Sequence, residues 1–306
     1  MEFGALMMEP LTSATQWRDR VRRVEDAGLA VLHVSDHFDR SPVSPLLALA
    51  AAAQVTGRIR LGTLVLNNDF RHPAVLAKEV ASLQVLCDGR LDVGLGAGWM
   101  DADYAVSGIA REQAGRRVDR LTGTVELLRE LFTTGGPVTR TAPGYAVREL
   151  REVPRPPTAP RLLVGGGGRR VLTLAGRTAD VVSVNFDNRE GRLGPHAMAT
   201  ASAAATDEKV GWVRAAAGGR APVLHLMAYW AEVTDHPREA AARRISERGL
   251  ALTPEQLLDS PHALIGPAGR VRERLAELRE RWGFGAVTAY EADLPSLLPV
   301  FASLGY

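Results

Sequence analysis

The chain lacks the features that define secreted, membrane-spanning and nucleic-acid-binding proteins. Among its 306 residues there is one cysteine, Cys87, so no intrachain disulfide can form, and we expect a protein of the reducing cytoplasm. No apolar run approaches ~18 residues, and no basic-then-apolar segment opens the chain, so we expect neither a membrane span nor a signal peptide. The 37 basic and 35 acidic residues leave a formal net charge of +2, too small for a strong nucleic-acid-binding field.

What the sequence does contain is a regular alternation of short β-rich runs with stretches of helical periodicity. Most β-rich runs are almost continuously apolar, which is typical of parallel strands buried on both faces. Eight strands are predicted, at Phe3–Met8, Val31–Val34, Ile59–Leu66, Leu91–Leu95, Arg161–Val164, Val181–Asn185, Val223–Trp230 and Ala286–Tyr290. Eight βα units in a chain of this length favour one α/β domain over residues 1–306, a (β/α)8 TIM barrel. A doubly wound sheet is the alternative.

Two segments are longer than ordinary connections, and both are predicted to be insertions. Thr133–Pro160, after strand four, is rich in Pro, Gly and Arg and suggests a surface excursion. Asp187–Gly219, between strands six and seven, is rich in Ala and Gly and suggests a short helix. Ser13 and Gln16 form a candidate capping box before the first helix. Gly123 lies within a predicted helix, where glycine costs about 1 kcal/mol relative to alanine.

Reactive residues of such barrels lie where the strands end, so the residues after each predicted strand are the candidates for a site. The second strand runs into Asp36 and His37, an acid and an imidazole that can donate or accept a proton. A capped turn with a surface histidine is the alternative. No metal site is expected, because His33 lies within a strand and so does not share a helical face with His37. A hydrolase is disfavoured because the chain has no G-x-S-x-G motif.

Glycines mark the ends of strands four and five. The alternating glycines at 94, 96 and 98 could let a planar group lie against the backbone, or could serve a turn that needs positive φ. The run Gly165–Gly168 is followed by Arg169 and Arg170 and then by a helical pattern. Free backbone N–H groups at a helix N-terminus, together with arginines, predict a phosphate site, with a flexible loop as the alternative.

Taken in order, five segments resemble the bacterial luciferase-like superfamily, in the branch of oxidoreductases that depend on the deazaflavin F420. They are GLAVLHVSDHF (28–38), RIRLGTLVLNNDFRHP (58–73), AVLAKEVASLQVLCDGRLDVGLGAGW (74–99), RLLVGGGG (161–168) and TPEQLLDSPHALIG (253–266). The resemblance implies a TIM barrel that transfers hydride between F420 and a small organic, natural-product or peptide-derived substrate, with reduction of C=C or C=N bonds favoured. An FMN-dependent monooxygenase and a non-catalytic flavin-binding relative are the alternatives.

The resemblance also assigns roles to individual residues. His37 is expected to contact the ring and to move a proton, with Asp36 orienting it. The Leu64–Val65 bond matches a non-prolyl cis peptide that bulges against the ring. The other expected cofactor contacts are Asn67, Ala97, Gly98, Gly165, Gly166, Gly167, Gly168 and Arg169.

Substrate contacts and assembly are further implications. The expected substrate pocket contains Phe38, Phe70, Trp99 and Tyr104, and Phe186 is a further aromatic near the barrel mouth. Trp99 stands where sugar-phosphate dehydrogenases of this branch place a catalytic acid, so an acid-assisted alcohol oxidation is not expected. A homodimer is expected through the helices after strands two and three, where the Leu46–Ala53 face is rich in alanine.

Overall fold

The computed structural model describes residues 1–38, 40–41, 43–151 and 154–305, and within them eight parallel strands close into a barrel. Each strand pairs with the next one along the chain, and the eighth pairs with the first. The (β/α)8 prediction is confirmed, and the doubly wound alternative is wrong because the sheet has no open edge. The barrel strands are β1 (Glu2–Met7), β2 (Val31–Val34), β3 (Arg60–Thr63), β4 (Leu91–Gly96), β5 (Arg161–Gly166), β6 (Val181–Val184), β7 (Val223–Ala228) and β8 (Phe284–Tyr290).

Helices cover the outside of the barrel. They are α1 (Ala14–Asp26), α2 (Pro45–Ala53), α3 (Pro73–Leu86), α4 (Asp101–Ser107), α5 (Ala114–Thr134), α6 (Arg169–Thr178), α7 (Pro195–Ala199), α8 (Ala203–Ala217), α9 (Pro237–Arg248), α10 (Pro254–Asp259), α11 (Ala268–Trp282) and α12 (Leu294–Ala302), with 3-10 turns at Asn68–Phe70 and Glu291–Asp293. Ser13 caps α1 by accepting from the Gln16 N–H. The Gln16 side chain accepts from Thr12 N and not from Ser13 N, so the reciprocal capping box is not formed. Among the helices of the described ranges, none has the length and apolar character needed to cross a membrane.

The predicted excursion Thr133–Pro160 contains an antiparallel hairpin, Val138–Ala142 with Tyr145–Leu150, and the helices α4 and α5 come before it in the chain. The hairpin packs on α5 at Gly123. A Cβ atom there would lie 2.5 Å from Ala142 Cβ and 2.6 Å from the Tyr145 hydroxyl. The glycine that weakens the helix is therefore needed for the close approach of the hairpin. Between β6 and β7 the chain forms α7 and α8, where one short helix was predicted.

A third insertion, between β7 and β8, was not predicted. The sequence indicated one strand over Val223–Trp230, but β7 ends at Ala228 and a separate strand, Trp230–Val233, pairs in parallel with Ala263–Gly266 outside the barrel. With α9 and α10 these strands bury a second hydrophobic cluster around Trp230. Because β7 and the strand Trp230–Val233 adjoin in sequence and both begin with apolar residues, periodicity alone does not show the break between these two strands.

Candidate active site

A cavity of about 580 Å³ opens at the C-terminal ends of the barrel strands. Cavities of this size hold cofactors and small substrates. One half is lined by residues at or after the ends of β2 to β5, including His37, Val65 and the glycines 165–168. The other half is lined by aromatic side chains at or after the ends of β6, β7 and β8, namely Phe186, Tyr229, Trp230 and Tyr290. The cavity is therefore divided between a glycine-rich half and an aromatic half.

His37 lies in the wall of the cavity and is held there by a buried carboxylate. Its Nδ1 lies 2.7 Å from Oδ2 of Asp103, a side chain that is 3% exposed, whereas His37 is 21% exposed. The other oxygen of Asp103 accepts from the Phe38 N–H at 3.0 Å. Because a carboxylate only accepts, the neutral imidazole carries its proton on Nδ1. Its Nε2 is then the atom left to exchange a proton with a ligand.

Asp36 does not orient His37, and this part of the prediction is wrong. Its carboxylate forms an ion pair with Arg71, with Nη1 to Oδ2 at 2.5 Å, and it accepts from the Asn67 N–H at 3.1 Å. Asp36 therefore fixes the backbone where β3 ends, while remaining part of the cavity wall. Asn67 also lines the cavity, and its Oδ1 accepts from Asp69 N. The orienting role falls to Asp103, which follows β4 and is 66 residues from His37 in sequence.

The Leu64–Val65 peptide bond is cis, as the resemblance implied, and both residues line the cavity. The neighbouring glycines make room for Val65. A Cβ on Gly96 would lie 2.7 Å from one Val65 methyl group, and a Cβ on Gly165 would lie 3.1 Å from the other. A Cβ on Gly94 would lie 2.0 Å from the Thr63 carbonyl oxygen. These glycines are thus explained by protein packing, and not by a planar ligand lying directly on the backbone.

Gly98 adopts a positive φ of 71°. This agrees with the alternative interpretation of the glycine pattern, a turn that needs positive φ. A Cβ there would lie 2.0 Å from the Tyr104 hydroxyl and 2.5 Å from Asn67 Oδ1. Gly98 and Ala97 both line the cavity. Close packing and backbone conformation together require glycine at position 98.

The end of β5 and the start of α6 line one end of the cavity. Gly165, Gly166, Gly167, Gly168 and Arg169 all line it. Gly168 is the N-cap of α6, where no side chain caps the helix and no acidic residue occupies the first turn. The first backbone N–H groups of a helix have no partner inside it, so they can bind an anion here. Gly167 lies so close to Phe186 that a Cβ would lie 2.1 Å from its carbonyl oxygen.

Arg117 is a cavity residue that the sequence did not indicate. It is 4% exposed, and its guanidinium donates to the carbonyl oxygens of Ala97, Glu112 and Gly98. Among the described residues no carboxylate pairs with it, and burial lowers its pKa. A buried cation that is bound only by neutral acceptors favours an anionic ligand nearby.

Three of the four expected substrate-pocket aromatics lie outside the cavity wall, and their assignment is corrected. Phe38 is 55% exposed and packs edge-on against Phe70, with ring centroids 5.0 Å apart, and Phe70 in turn contacts Tyr104. Tyr104 is buried, and its hydroxyl donates to Asp69 Oδ2 at 2.8 Å, so it supports the loop after β3. Trp99 does line the cavity, where it meets the His37 ring edge-on at 5.9 Å. Phe186 lines the opposite half.

The barrel interior below the cavity contains a buried polar network. His225 is hydrogen-bonded to Ser183 through Nδ1 at 2.9 Å and to Thr288 through Nε2 at 2.8 Å. Burial lowers the pKa of His225 to about 3, and it also lowers the pKa of His262 to about 3. Both rings are therefore neutral at physiological pH. Across the described ranges, no three His, Cys, Asp or Glu side chains converge as a metal site would require.

Comparison with known proteins places this architecture in a family. A family model described as luciferase-like monooxygenase matches residues 1–285. An F420-dependent glucose-6-phosphate dehydrogenase of Kribbella flavida is 36% identical over 166 residues, which are 52% of this chain and 49% of that protein. The chain thus spans about half the length of the curated relatives it matches.

Two solved structures share the fold over almost the whole chain. A monooxygenase, RslO1, from Streptomyces bottropensis matches with a TM-score of 0.75 and 20% identity, covering 100% of both chains. An F420-dependent secondary alcohol dehydrogenase in complex with an F420–acetone adduct matches with a TM-score of 0.77 and 15% identity, covering 99% of this chain and 98% of that chain. At such identities the likeness establishes the fold alone.

Proposed function

Because this chain belongs to the luciferase-like monooxygenase family, we propose that it is an F420-dependent oxidoreductase that acts on a small organic substrate. Its relatives include F420-dependent dehydrogenases. The observation that carries the proposal is that His37, Val65 and the uncapped N-terminus of α6 with Arg169 all line one cavity. A cofactor with a flat ring and a phosphate-bearing tail fits that arrangement.

The residues present fit the anionic part of such a cofactor. The uncapped N-terminus of α6, with Arg169 at its first position, would bind the phosphate through backbone N–H groups. Arg117 adds a buried positive charge on the same side of the cavity. Val65, Ala97 and Gly98 would position the ring. The bound deazaflavin supplies or accepts the hydride, and the protein contributes orientation and electrostatics.

His37 is proposed to move the proton that accompanies hydride transfer. Asp103 fixes Nδ1 as a donor, so Nε2 can accept a proton from the substrate or, once protonated, donate one. The aromatic half of the cavity would exclude water from the reacting atoms. We propose the reductive direction, on C=C or C=N bonds, because Trp99 occupies the position at which the resemblance places a catalytic acid in sugar-phosphate oxidation.

An FMN-dependent monooxygenase is the second candidate, favoured by the family description and by the fold shared with the Streptomyces bottropensis enzyme. Parallel titrations of the protein with F420 and with FMN, followed by visible absorbance and tryptophan fluorescence, separate the two. We expect saturable binding of F420 with weaker binding of FMN. Tighter binding of FMN, together with oxygen consumption by the reduced complex, would replace the proposal with the monooxygenase. Binding of either cofactor without turnover on any substrate panel would favour the non-catalytic relative.

We also propose a homodimer through α2 and α3. Leu47 on α2 is 74% exposed, and Val75 and Leu86 on α3 are more than half exposed. Such large apolar side chains on two adjacent helices form a surface suited to association. Light scattering should give the mass of a dimer for the native chain and a lower mass for Leu47→Glu. A cytoplasmic location and the absence of nucleic-acid and membrane partners stay predictions.

A further inference from the structure

The aromatic half of the cavity is a continuous cluster of rings. Phe186 and Tyr229 have ring centroids 4.8 Å apart, and Tyr229 and Tyr290 have centroids 6.3 Å apart. All three line the cavity. They lie at or after the ends of β6, β7 and β8, so they face the half of the cavity that remains once a cofactor lies along β2 to β5. A wall of aromatic rings favours a flat, conjugated ligand.

The polarity of one hydrogen bond in this wall is fixed by the surrounding structure. Oδ1 of Asn185 accepts from the Phe186 N–H at 2.8 Å, which identifies the oxygen of that amide. Its Nδ2 therefore donates to the Tyr229 hydroxyl oxygen, at 2.6 Å. Tyr229 is thus an acceptor in this bond, and its own hydroxyl hydrogen is left for another partner.

That hydroxyl hydrogen has no acceptor among the residues that the structure describes. Asn185 and Tyr229 both line the cavity, so an acceptor atom can be supplied by a ligand bound there. Burial, and secondarily the nearby Tyr290, raises the pKa of Tyr229. The hydroxyl therefore stays protonated and can donate throughout the physiological pH range.

We propose that Tyr229 donates a hydrogen bond to a carbonyl oxygen of the substrate, and that the substrate is a planar conjugated carbonyl compound packed against Phe186 and Tyr229. This inference rests on the proposed function and names its substrate class. Hydride addition to the C=C carbon remote from the carbonyl, with the reduced deazaflavin of the proposed function as the hydride donor, forms a C–H bond and moves the π electron pair onto the carbonyl oxygen as an enolate. A proton, which protonated His37 is proposed to supply, then adds to the intervening carbon and completes the saturated carbonyl product. A fixed donor at that oxygen stabilises the charge as it develops.

Calorimetric titration with two matched probes tests the inference. Coumarin is a planar conjugated lactone, and 2H-chromene has the same bicyclic frame without the carbonyl oxygen. We expect the native protein to bind coumarin about tenfold more tightly than 2H-chromene, because a buried hydrogen bond that one ligand cannot make has a cost of that order. Tyr229→Phe keeps the aromatic wall but should remove this preference.

Two further variants separate the hydrogen bond from structural damage. Asn185→Asp replaces the donor facing Tyr229 with an acceptor, which should turn the hydroxyl hydrogen away from the ligand and also remove the preference. Tyr145→Phe removes a tyrosine hydroxyl that does not line the cavity and should leave the preference intact. Equal binding of the two probes by the native protein, failure to bind coumarin, or a preference that survives in Tyr229→Phe would each overturn the inference.

Each titration is run with and without F420. If the protein did not bind F420 but still preferred coumarin in a way that depends on Tyr229, the proposed cofactor would be refuted and the proposed hydrogen bond from Tyr229 to the substrate would be supported. If the protein bound F420 but showed no preference for coumarin over 2H-chromene, only the proposed role of Tyr229 and the proposed substrate class would be refuted. The failures of the two proposals are therefore distinguishable.

Discussion

Replacing Asp103 with asparagine is expected to reverse the tautomer of His37. In the native protein a buried carboxylate oxygen lies 2.7 Å from Nδ1. A hydrogen bond to a charged group contributes about 1.5–3 kcal/mol to stability. Since 1.4 kcal/mol corresponds to a factor of about ten, the Nδ1–H form should exceed the Nε2–H form by roughly ten- to a hundredfold. Nearly all of the neutral imidazole therefore presents an unprotonated Nε2 to the cavity.

In Asp103→Asn the geometry forces the opposite arrangement. The Phe38 N–H donates to Oδ1 of residue 103, at 3.0 Å, and an amide must keep its oxygen there. Its NH2 group then faces His37, so Nδ1 must become an acceptor and the proton moves to Nε2. In the oxidative direction a general base at Nε2 is lost, and we expect turnover in that direction to fall by about 10²–10⁴, the usual contribution of positioned acid–base catalysis.

Long-range ¹H–¹⁵N correlation spectra of the imidazole groups measure the tautomer without any substrate. The His37 signals are assigned by their absence in His37→Gln. Asp101→Asn is the control, since Asp101 is in the first turn of the same helix but pairs with Arg111 at the surface. An Nδ1–H pattern that is unchanged in Asp103→Asn would refute the assigned role of Asp103.

Three other perturbations test separate parts of the account. Arg117→Met should weaken F420 binding about ten- to a hundredfold, measured by absorbance titration, because it removes a buried positive charge; unchanged affinity would exclude Arg117 from the phosphate site. Gly123→Ala should destabilise the fold by about 1 kcal/mol or more in urea, because the clash with the hairpin outweighs the gain in helix propensity. Gly211→Ala, at an open position in α8, should instead stabilise it by about 0.5–1 kcal/mol, and like signs would contradict the packing argument. The free energy of unfolding should fall as the pH drops from about 6.5 towards 3, by about 1.4 kcal/mol per pH unit for each of His225 and His262. The reason is that both side chains are neutral in the folded protein but take up protons when it unfolds. If His262→Gln left the dependence of the unfolding free energy on pH unaltered, this explanation would be contradicted for His262.

The barrel could be predicted because its signals are local in sequence. Each strand is a short apolar run, and Gly28, Gly89 and Gly283, which follow α1, α3 and α11, have the positive φ that makes glycine a local signal of a helix end. The strand after Tyr229 was merged with β7 because two apolar runs that adjoin in sequence differ only in their partners. The strand Trp230–Val233 pairs with residues 263–266, about 30 residues further along the chain, and a local sequence pattern does not predict such long-range pairing.

Site residues could be predicted from the sequence only where they belong to a short contiguous motif. His37 and the glycines at 165–168 were recognised because each follows a strand directly. Asp103 and Arg117 were not predicted because they lie on α4 and α5, which no sequence motif links to the cavity. Only the fold places these two side chains in the cavity wall. The packing roles of Gly94 and Gly96 could not be predicted, because the groups closest to them, the Thr63 carbonyl and a Val65 methyl group, belong to the neighbouring strand and its connection.

A crystal structure of the protein soaked with F420 tests the central claim most directly. We expect density for the ring against Val65 and within reach of His37, with the phosphate at the backbone N–H groups of Gly168 and Arg169. A ring bound elsewhere, or a cavity that stays free of F420 at concentrations that saturate its relatives, would contradict the proposed function.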